Sequence, residues 1–175
     1  MNMIVAHCRN KGIGFRNKIP WFIPDELKYF KMITSEHKNS SIIMGKNTWL
    51  SLPKKPLSNR NNIILSNSIK KTDIVNYNNT KLFKTKEQLL NYVNVTPTPY
   101  WVIGGEAIYK SFINCEELEY IYVTKIEEYY ECDTFFPEIP ENFKLITNNN
   151  TKKTNDVCYK YEIYKNLGIM RSTKL

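Results

Sequence analysis

Two separate segments of the chain share one pattern, an apolar run followed by glycine and then by a helix-like stretch. In Ile42–Trp49 three apolar residues precede Gly45, and in Trp101–Tyr109 three more precede Gly104 and Gly105. Short apolar runs of this kind are typical of strands buried on both faces of a parallel sheet. The pattern therefore predicts an α/β fold, with both glycine junctions at the carboxyl edge of the sheet, where such folds bind ligands. Each junction alone is a weak signal, because a glycine pair after a strand is more often only a tight turn.

The rest of the chain fits alternating strands and helices with a different, antiparallel end. We predict a central, mostly parallel, twisted sheet of about eight strands flanked by about four helices. The predicted strands are Met3–Cys8, Ser41–Met44, Asn62–Ser66, Asp73–Val75 and Tyr100–Ile103. The predicted helices are Pro24–Ile33, Asn47–Leu52, Lys86–Val93 and Glu106–Ile113. No strong helix separates Leu118–Ile126 from Val157–Tyr164, which predicts that these two strands pair antiparallel at the C-terminal edge, with residues 148–150 in a turn between late strands. One domain over residues 1–165 and a polar tail over 166–175 are expected.

Charge and cysteine content narrow the classes of partner. The formal net charge of +8 has three possible explanations. In decreasing order of expectation they are a solvated surface, anionic small-molecule ligands and nucleic acid. Nucleic acid is not expected, because the lysine pairs are scattered and no basic helix or RNA-binding motif gathers them. The four cysteines are far apart and only two histidines are present, so we expect reduced thiols and no metal site. The absence of a signal-peptide pattern or a long apolar run predicts a cytoplasmic protein without a membrane span.

The carboxylate of Glu26 lies on a face of a predicted helix that is otherwise apolar. Pro24 suits the first turn of a helix, and Asp25 and Glu26 complement the helix dipole there. Glu26 also shares a helix face with Phe30 and Ile33 by its spacing. A carboxylate on such a face is costly unless it is hydrogen-bonded or its pKa is raised, and such a group can hold a cationic ring or help deliver a proton. We therefore expect Asp25 to face solvent and Glu26 to face inward.

At this point the residues resemble a known family. From about residue 3 to residue 165, motifs similar to those of dihydrofolate reductases occur in the family's order: Ile4-Val5-Ala6, Gly12-Ile13-Gly14, Asn17, Ile19-Pro20-Trp21, Pro24, Glu26, Leu27, Phe30, Ile43–Trp49, Pro56-Leu57, Arg60, Ile63–Ser66, Val102–Gly105, Tyr109, Val123-Thr124 and Asp133–Pro137. Asn59 replaces a frequent glycine, and asparagine tolerates the left-handed backbone expected there. Asn67 stands where many members carry a basic or hydroxyl residue near the 2′-phosphate of NADPH.

The resemblance implies a dihydrofolate reductase-like fold and hydride transfer from NADPH to the pterin ring of dihydrofolate. Glu26 would be the acid that holds the pterin and supports protonation of its N5 through water, Trp21 would hold that water, and Thr124 would orient Glu26. The implied substrate-binding residues are Ile4, Val5, Leu27, Phe30, Lys31, Leu52, Leu57, Arg60, Ile103 and Tyr109, with Arg60 on the α-carboxylate. The implied cofactor-binding residues are Ala6, Ile13, Gly14, Asn17, Lys46, Asn47, Thr48, Leu65, Ser66, Asn67, Lys84, Gly104, Gly105, Glu106, Ala107, Ile108 and Tyr109. The resemblance also implies a cis Gly104–Gly105 peptide, a lid over Gly12–Phe22, antifolate binding and a monomer.

Two other functions stay open at the level of sequence. One is another reductase on the same fold, such as the riboflavin-pathway type that acts on a ribosylaminopyrimidine. The pair of Glu26 and Arg60 disfavours it, because together these residues fit a pterin and a glutamate tail. The other is a non-enzymatic binding module that has kept the fold, which the intact set of Glu26, Trp21, Thr124 and the Gly104-Gly105 pair disfavours.

Overall fold

The computed structural model describes residues 1–168 of the chain. Within them lie four α-helices: α1 (Pro24–Thr34), α2 (Lys46–Ser51), α3 (Lys86–Val95) and α4 (Glu106–Phe112). The same residues form eleven strands: β1 (Asn2–His7), β2 (Gly12–Gly14), β3 (Ser41–Gly45), β4 (Asn61–Leu65), β5 (Thr80–Phe83), β6 (Tyr100–Val102), β7 (Tyr120–Ile126), β8 (Thr134–Phe135), β9 (Phe143–Asn148), β10 (Lys152–Thr154) and β11 (Val157–Asn166). The predicted strand–helix alternation is confirmed, with boundaries that differ by a few residues.

The central sheet has the predicted mixed topology. Its order is β10-β11-β7-β1-β6-β3-β4-β5, with β9 also paired to β11. All pairs from β7 through β5 are parallel, whereas β11 is antiparallel to β7 and to both β9 and β10. The expected antiparallel C-terminal edge is therefore confirmed, and nine strands of the described chain join this sheet where about eight were predicted. A separate two-stranded sheet pairs β2 with β8.

The strands are buried on both faces, as their continuous apolar runs predict. Met3 and Val5 point to a core that includes Leu89 of α3 and Phe112 of α4. Ile4 points to the opposite core, beside Trp49 of α2 and with residues of α1 packed against it. Helices thus cover both faces of the sheet, and the carboxyl ends of β1, β3, β4 and β6 meet at one edge. No helix in the described part of the chain is long and apolar enough to cross a membrane.

One predicted strand is wrong. Asp73–Val75 was expected to be a strand, but Lys71–Asp73 forms a short 3-10 helix and Val75 is 73% exposed. The Asp73 carboxylate accepts a hydrogen bond from the backbone N–H of Lys70 (2.8 Å), and this local bond offers the backbone an alternative to a sheet. The edge strand is β5 instead.

The C-terminal hairpins also differ from the prediction. The strands β9 and β10 were not predicted, and Asn148 is the last residue of β9 rather than part of a turn, while residues 149–151 join the two strands. The strand β11 continues to Asn166, a buried residue whose side chain donates to the Leu118 carbonyl (3.0 Å). It therefore passes the predicted domain boundary at 165, and the rest of the predicted tail from residue 169 lies outside the described residues.

The amino ends of the strands form the opposite edge of the sheet. There the segment 96–99 leads from the end of α3 into β6, and the Ser41 backbone N–H donates to the Pro99 carbonyl (2.8 Å). Val95, at the last turn of α3, is 78% exposed.

Candidate active site

A cleft of about 1510 Å³ opens at the carboxyl edge of the central sheet. Its walls come from β1, the segment after β2, α1, α2, and the first turn of α4. Every residue that the sequence analysis proposed for the site lines this cleft except Thr124 and Gly104. The fold therefore brings together residues that are separated by up to about a hundred positions in the chain.

Glu26 supplies a buried carboxylate on the cleft wall. Pro24 begins α1 and Asp25 faces solvent, where it accepts hydrogen bonds from Lys28 (3.2 Å) and Thr154 (3.0 Å). Glu26 is only 7% exposed, and burial raises its pKa to about 7. The inward and outward orientations of these two neighbouring acids are those that helix spacing predicts. A carboxyl group with this pKa is present in both protonation states near neutral pH, which suits proton transfer.

Two buried polar atoms near this part of the fold have no protein partner. They are the indole Nε1 of Trp21 and the hydroxyl Oγ1 of Thr124. Trp21 precedes α1 and packs edge-on against Tyr130, with ring centroids 5.4 Å apart. Thr124 lies on β7, opposite Ala6 of β1. Because buried polar groups are almost always hydrogen-bonded in native proteins, these two atoms fit a site that binds water or a polar ligand.

The cleft wall beside Glu26 is apolar. Ile4 and Val5 of β1 are buried under it, and Phe30 and Leu57 are partly buried. Leu27 is 48% exposed although it lies on the cleft wall. Exposed apolar side chains that face into a cleft suit the flat surface of an aromatic ligand.

Tyr109 closes the inner end of the cleft. Its hydroxyl donates to the Ile4 carbonyl (2.8 Å), and burial raises the pKa of this phenol. The hydroxyl therefore stays protonated and fixes the middle of β1 against α4.

Arg60 provides a buried cation on the opposite side of the apolar wall. Its guanidinium donates to Thr34 Oγ1 (2.7 Å) and to the Ser58 carbonyl (3.1 Å), and it lies 5.7 Å from the centre of the Phe30 ring. Burial lowers the pKa of Arg60, but guanidinium stays charged in proteins. The preceding Asn59 has φ 61, so the turn adopts the left-handed backbone that asparagine was expected to tolerate.

The two glycine junctions meet at the edge of the sheet. The Gly45 backbone N–H donates to the Gly104 carbonyl (2.8 Å), and the Gly104–Gly105 peptide is cis, as the resemblance implied. A Cβ atom on Gly45 would lie 2.8 Å from Ile108 Cγ1, so the two helices approach too closely for a side chain there. No side chain caps α2 or α4 at Gly45 or Gly105. First-turn N–H groups of two neighbouring helices are thus available to an anion.

A short turn forms the far end of the cleft beyond β4. Ser66 Oγ accepts from the backbone N–H groups of Ser68 (3.3 Å) and Ile69 (3.2 Å). The Lys84 ammonium donates to the Ile69 carbonyl and to the Asn67 carbonyl (3.3 Å). A hydroxyl and an ammonium group therefore lie together at this end.

The segment expected to act as a lid is partly strand. Its first residues form β2, which pairs with β8, and the Asp133 carboxylate accepts from the Arg16 backbone N–H (2.8 Å). The side chain of Glu106 accepts from the Phe135 backbone N–H (2.9 Å) and contacts Lys110. One carboxylate at the start of α4 is therefore bonded to the strand that supports the lid.

Sequence reasoning missed several cations on the cleft wall. Lys18, Lys54 and Lys86 line the cleft, and the Lys86 ammonium donates to the Ser111 carbonyl in the last turn of α4 (2.7 Å). In a chain with 25 basic residues, no local pattern distinguishes these lysines from solvated ones.

Comparison with known proteins agrees with this geometry. The family model for dihydrofolate reductase matches residues 1–166. The dihydrofolate reductase of Aedes albopictus is 35% identical over 94% of this chain and 96% of its own length. That of Gallus gallus is 36% identical over 94% of this chain and 95% of its own length. A viral dihydrofolate reductase of Saimiriine herpesvirus 2 (strain 488) is 34% identical over 95% of this chain and 85% of its own length. The chain therefore belongs to the dihydrofolate reductase family.

Proposed function

We propose that this chain reduces dihydrofolate to tetrahydrofolate with NADPH as the hydride donor. The observation that carries the proposal is the buried Glu26 carboxyl group on the wall of a cleft. Two helices, α2 and α4, begin directly after glycine at the edge of the same cleft. An acid at this place can hydrogen-bond the pterin ring, and the N–H groups of two helix N-termini can bind a diphosphate. Membership of the family supports both assignments.

Glu26 holds the pterin ring and helps to protonate it. Its carboxylate accepts hydrogen bonds from the ring nitrogen and the 2-amino group of the pterin. Because the pKa of Glu26 is raised to about 7 by burial, it keeps a proton available at neutral pH for transfer through water to N5 of the pterin. The unpartnered Nε1 of Trp21 suits a donor to that water, and Oγ1 of Thr124 suits a hydrogen bond that orients Glu26.

The remainder of the substrate lies along the apolar wall. Ile4, Val5 and Ile103 close the pterin end, and Leu27, Phe30, Leu52 and Leu57 enclose the pterin and aminobenzoyl groups. Arg60 binds the α-carboxylate, because a guanidinium presents two parallel donors to a carboxylate. Lys31, exposed on the last turn of α1, adds a second positive charge at this end.

The residues of the cleft fit NADPH, which when bound supplies the hydride to C6 of the pterin. Backbone groups of Ala6 and Ile13 suit the nicotinamide carboxamide, with Gly14 and Asn17 beside them. Lys46, Asn47 and Thr48 at the start of α2, and Gly105 through Ile108 at the start of α4, present N–H groups to the diphosphate. The side chains of Ser66, Lys46 and Lys84 face the 2′-phosphate, with Leu65 and Asn67 beside them. The close approach of Gly45 to Ile108 supports this fit, since it leaves backbone rather than side chain at the junction.

The lid residues Gly12–Phe22 exclude water from the reacting rings. Ile19 and Phe22 in this segment are 57% and 68% exposed, so the lid has apolar surface to place over a bound ligand. Exclusion of water strengthens the polar contacts of Glu26 and protects the hydride step.

The experiment that tests the function is a turnover assay with the purified chain, dihydrofolate and NADPH, followed by the loss of reduced nicotinamide and repeated with NADH. Glu26→Gln is expected to keep cofactor binding while turnover at neutral pH falls roughly 10²–10⁴-fold, the usual effect of losing acid catalysis. Asp25→Asn is the matched control, because Asp25 lies next to Glu26 but faces solvent. Near-normal turnover of Glu26→Gln would contradict the role of this residue.

We also propose that the enzyme acts as a monomer in the cytoplasm and binds antifolates in the pterin site. Sedimentation at several protein concentrations tests the first point. Competition of an antifolate with dihydrofolate, and its loss of affinity in Glu26→Gln, tests the last.

A further inference from the structure

Two cysteines that are distant in sequence are neighbours in the fold. Cys8 follows β1 and is fully buried, whereas Cys132 shortly precedes β8 and is half-buried. Their sulfur atoms are 3.8 Å apart. The sequence analysis treated all four cysteines as isolated thiols, because 124 positions separate this pair.

Backbone hydrogen bonds hold both cysteines in place. The Cys8 N–H donates to the Gly12 carbonyl (3.0 Å), and Asp133, which follows Cys132, donates to the Gly14 carbonyl (3.0 Å). Gly12 itself creates the room for the two sulfur atoms, since a Cβ atom on it would lie 2.3 Å from the sulfur of Cys132 and 3.0 Å from that of Cys8. The two sulfur atoms therefore face each other across the space that Gly12 leaves open. The Cys8 thiol also donates to Asn10 Oδ1 (2.8 Å), a hydrogen bond that is lost when Cys8 forms a disulfide.

We propose that Cys8 and Cys132 are a modification site at which a reversible intramolecular disulfide forms. A disulfide needs a sulfur–sulfur distance of about 2.05 Å, so the two atoms must approach by roughly 1.8 Å from their observed contact. Rotation of the half-buried Cys132 side chain moves its sulfur without moving β1. The inference does not rest on the proposed folate chemistry, because it concerns only this pair of thiols.

The oxidant that the step requires is a low-molecular-weight disulfide such as glutathione disulfide. The Cys132 thiolate attacks one sulfur of the oxidant, whose disulfide bond breaks and releases one thiolate. The Cys8 thiolate then attacks the sulfur of Cys132 and releases the second thiolate. The protein pair loses two electrons and two protons, and the oxidant becomes two thiols. Burial raises the pKa of Cys132 to about 11, so little of this thiol is ionised near neutral pH and exchange is slow. The pair therefore stays reduced during a brief exposure to oxidant and forms the disulfide only on prolonged exposure.

The test exposes the full chain to excess glutathione disulfide and, in parallel, to dithiothreitol. Of the four cysteine thiols, we expect two to be lost on oxidation and all four to return on reduction. Peptide mass spectrometry of the oxidised chain is expected to find the peptides of Cys8 and Cys132 joined, two hydrogen masses lighter than the separate peptides. A Cys115→Ser/Cys158→Ser variant is the matched control and should form the same link, whereas Cys132→Ser should not.

Three results would overturn the inference. The first is four reactive thiols after prolonged oxidation. The second is a linked peptide pair that involves Cys115 or Cys158. The third is a chain in which Cys132 carries only the glutathione adduct, because Cys8 would then have failed to resolve it. Since the peptide measurement uses the unaltered chain, the inference stays testable even if a substitution at Cys8 or Cys132 prevents folding.

Discussion

Replacing Glu26 by glutamine is expected to stabilise the ligand-free protein above neutral pH while it lowers activity. Glu26 is 7% exposed, and burial raises its pKa from the ordinary value of 4.5 to about 7. Ionisation of this carboxyl group inside the fold therefore has a free-energy cost. Glutamine has nearly the same shape and never ionises, so the variant avoids that cost.

The size and sign of the effect follow from the two pKa values. Because the folded pKa lies above the unfolded one, the folded chain binds the proton more tightly, and the contribution of Glu26 to stability is full below pH 4.5. The contribution decreases as pH rises from 4.5 to about 7 and is lost above that range. The total loss is on the order of 3 kcal/mol, at about 1.4 kcal/mol for each pH unit.

Urea unfolding of both proteins between pH 4.5 and pH 8 measures this difference. We expect the free energy of unfolding of Glu26→Gln, relative to the parent chain, to rise by about 3 kcal/mol across that range. Asp25→Asn should show no such gain, because the pKa of Asp25 is lowered by its hydrogen bonds to Lys28 and Thr154. A difference between Glu26→Gln and the parent that stays constant with pH would refute the reasoning, since the carboxyl group would then titrate alike in both states.

Three further substitutions test other parts of the cleft. Arg60→Ala should raise the KM for dihydrofolate roughly 10–100-fold, the worth of a charge-assisted hydrogen bond, and a selective loss of NADPH affinity would mean that this residue serves the cofactor. Lys84→Met should lower kcat/KM with NADPH about tenfold or more and leave that with NADH unchanged, whereas Lys81→Met, on the preceding strand β5, should change neither. Gly104→Ala should lower the free energy of unfolding by roughly 2–5 kcal/mol in thermal melts, because Gly104 has φ 103 and a Cβ atom there would lie 2.7 Å from Tyr109 Cε2; an unchanged melting temperature would contradict this.

Patterns that depend on burial were readable from the sequence. Apolar runs such as Ile42–Met44 predicted the parallel strands, since a strand covered on both faces needs an unbroken run of apolar residues. The helix spacing of Glu26 with Phe30 predicted its orientation, because the 3.6-residue period fixes which side chains share a face. Both predictions depend on local periodicity, which is present in the sequence itself and needs no knowledge of distant contacts.

Features that depend on single hydrogen bonds or on distant contacts could not be predicted from the sequence. The local hydrogen bond between Asp73 and Lys70 turned a predicted strand into a 3-10 helix, and no apolar pattern records such a bond. The strand β9 was missed because Lys144 interrupts its apolar run and Leu145 and Ile146 stay exposed at the edge of the sheet. The bond from the Phe135 N–H to Glu106 and the contact of Cys8 with Cys132 join residues that only the fold brings together.

The segment 96–99 has a practical use that follows from its place at the amino ends of the strands. None of its residues lines the cleft, and a helix of ten residues, about 15 Å long, separates it from Lys86 on the cleft wall. A fluorophore, an affinity handle or an inserted domain attached there would lie at the amino edge of the sheet, opposite to the edge that holds the junctions at Gly45 and Gly104. The enzyme can thus be immobilised on a sensor surface through this segment while the ligand entrance faces the flowing solution.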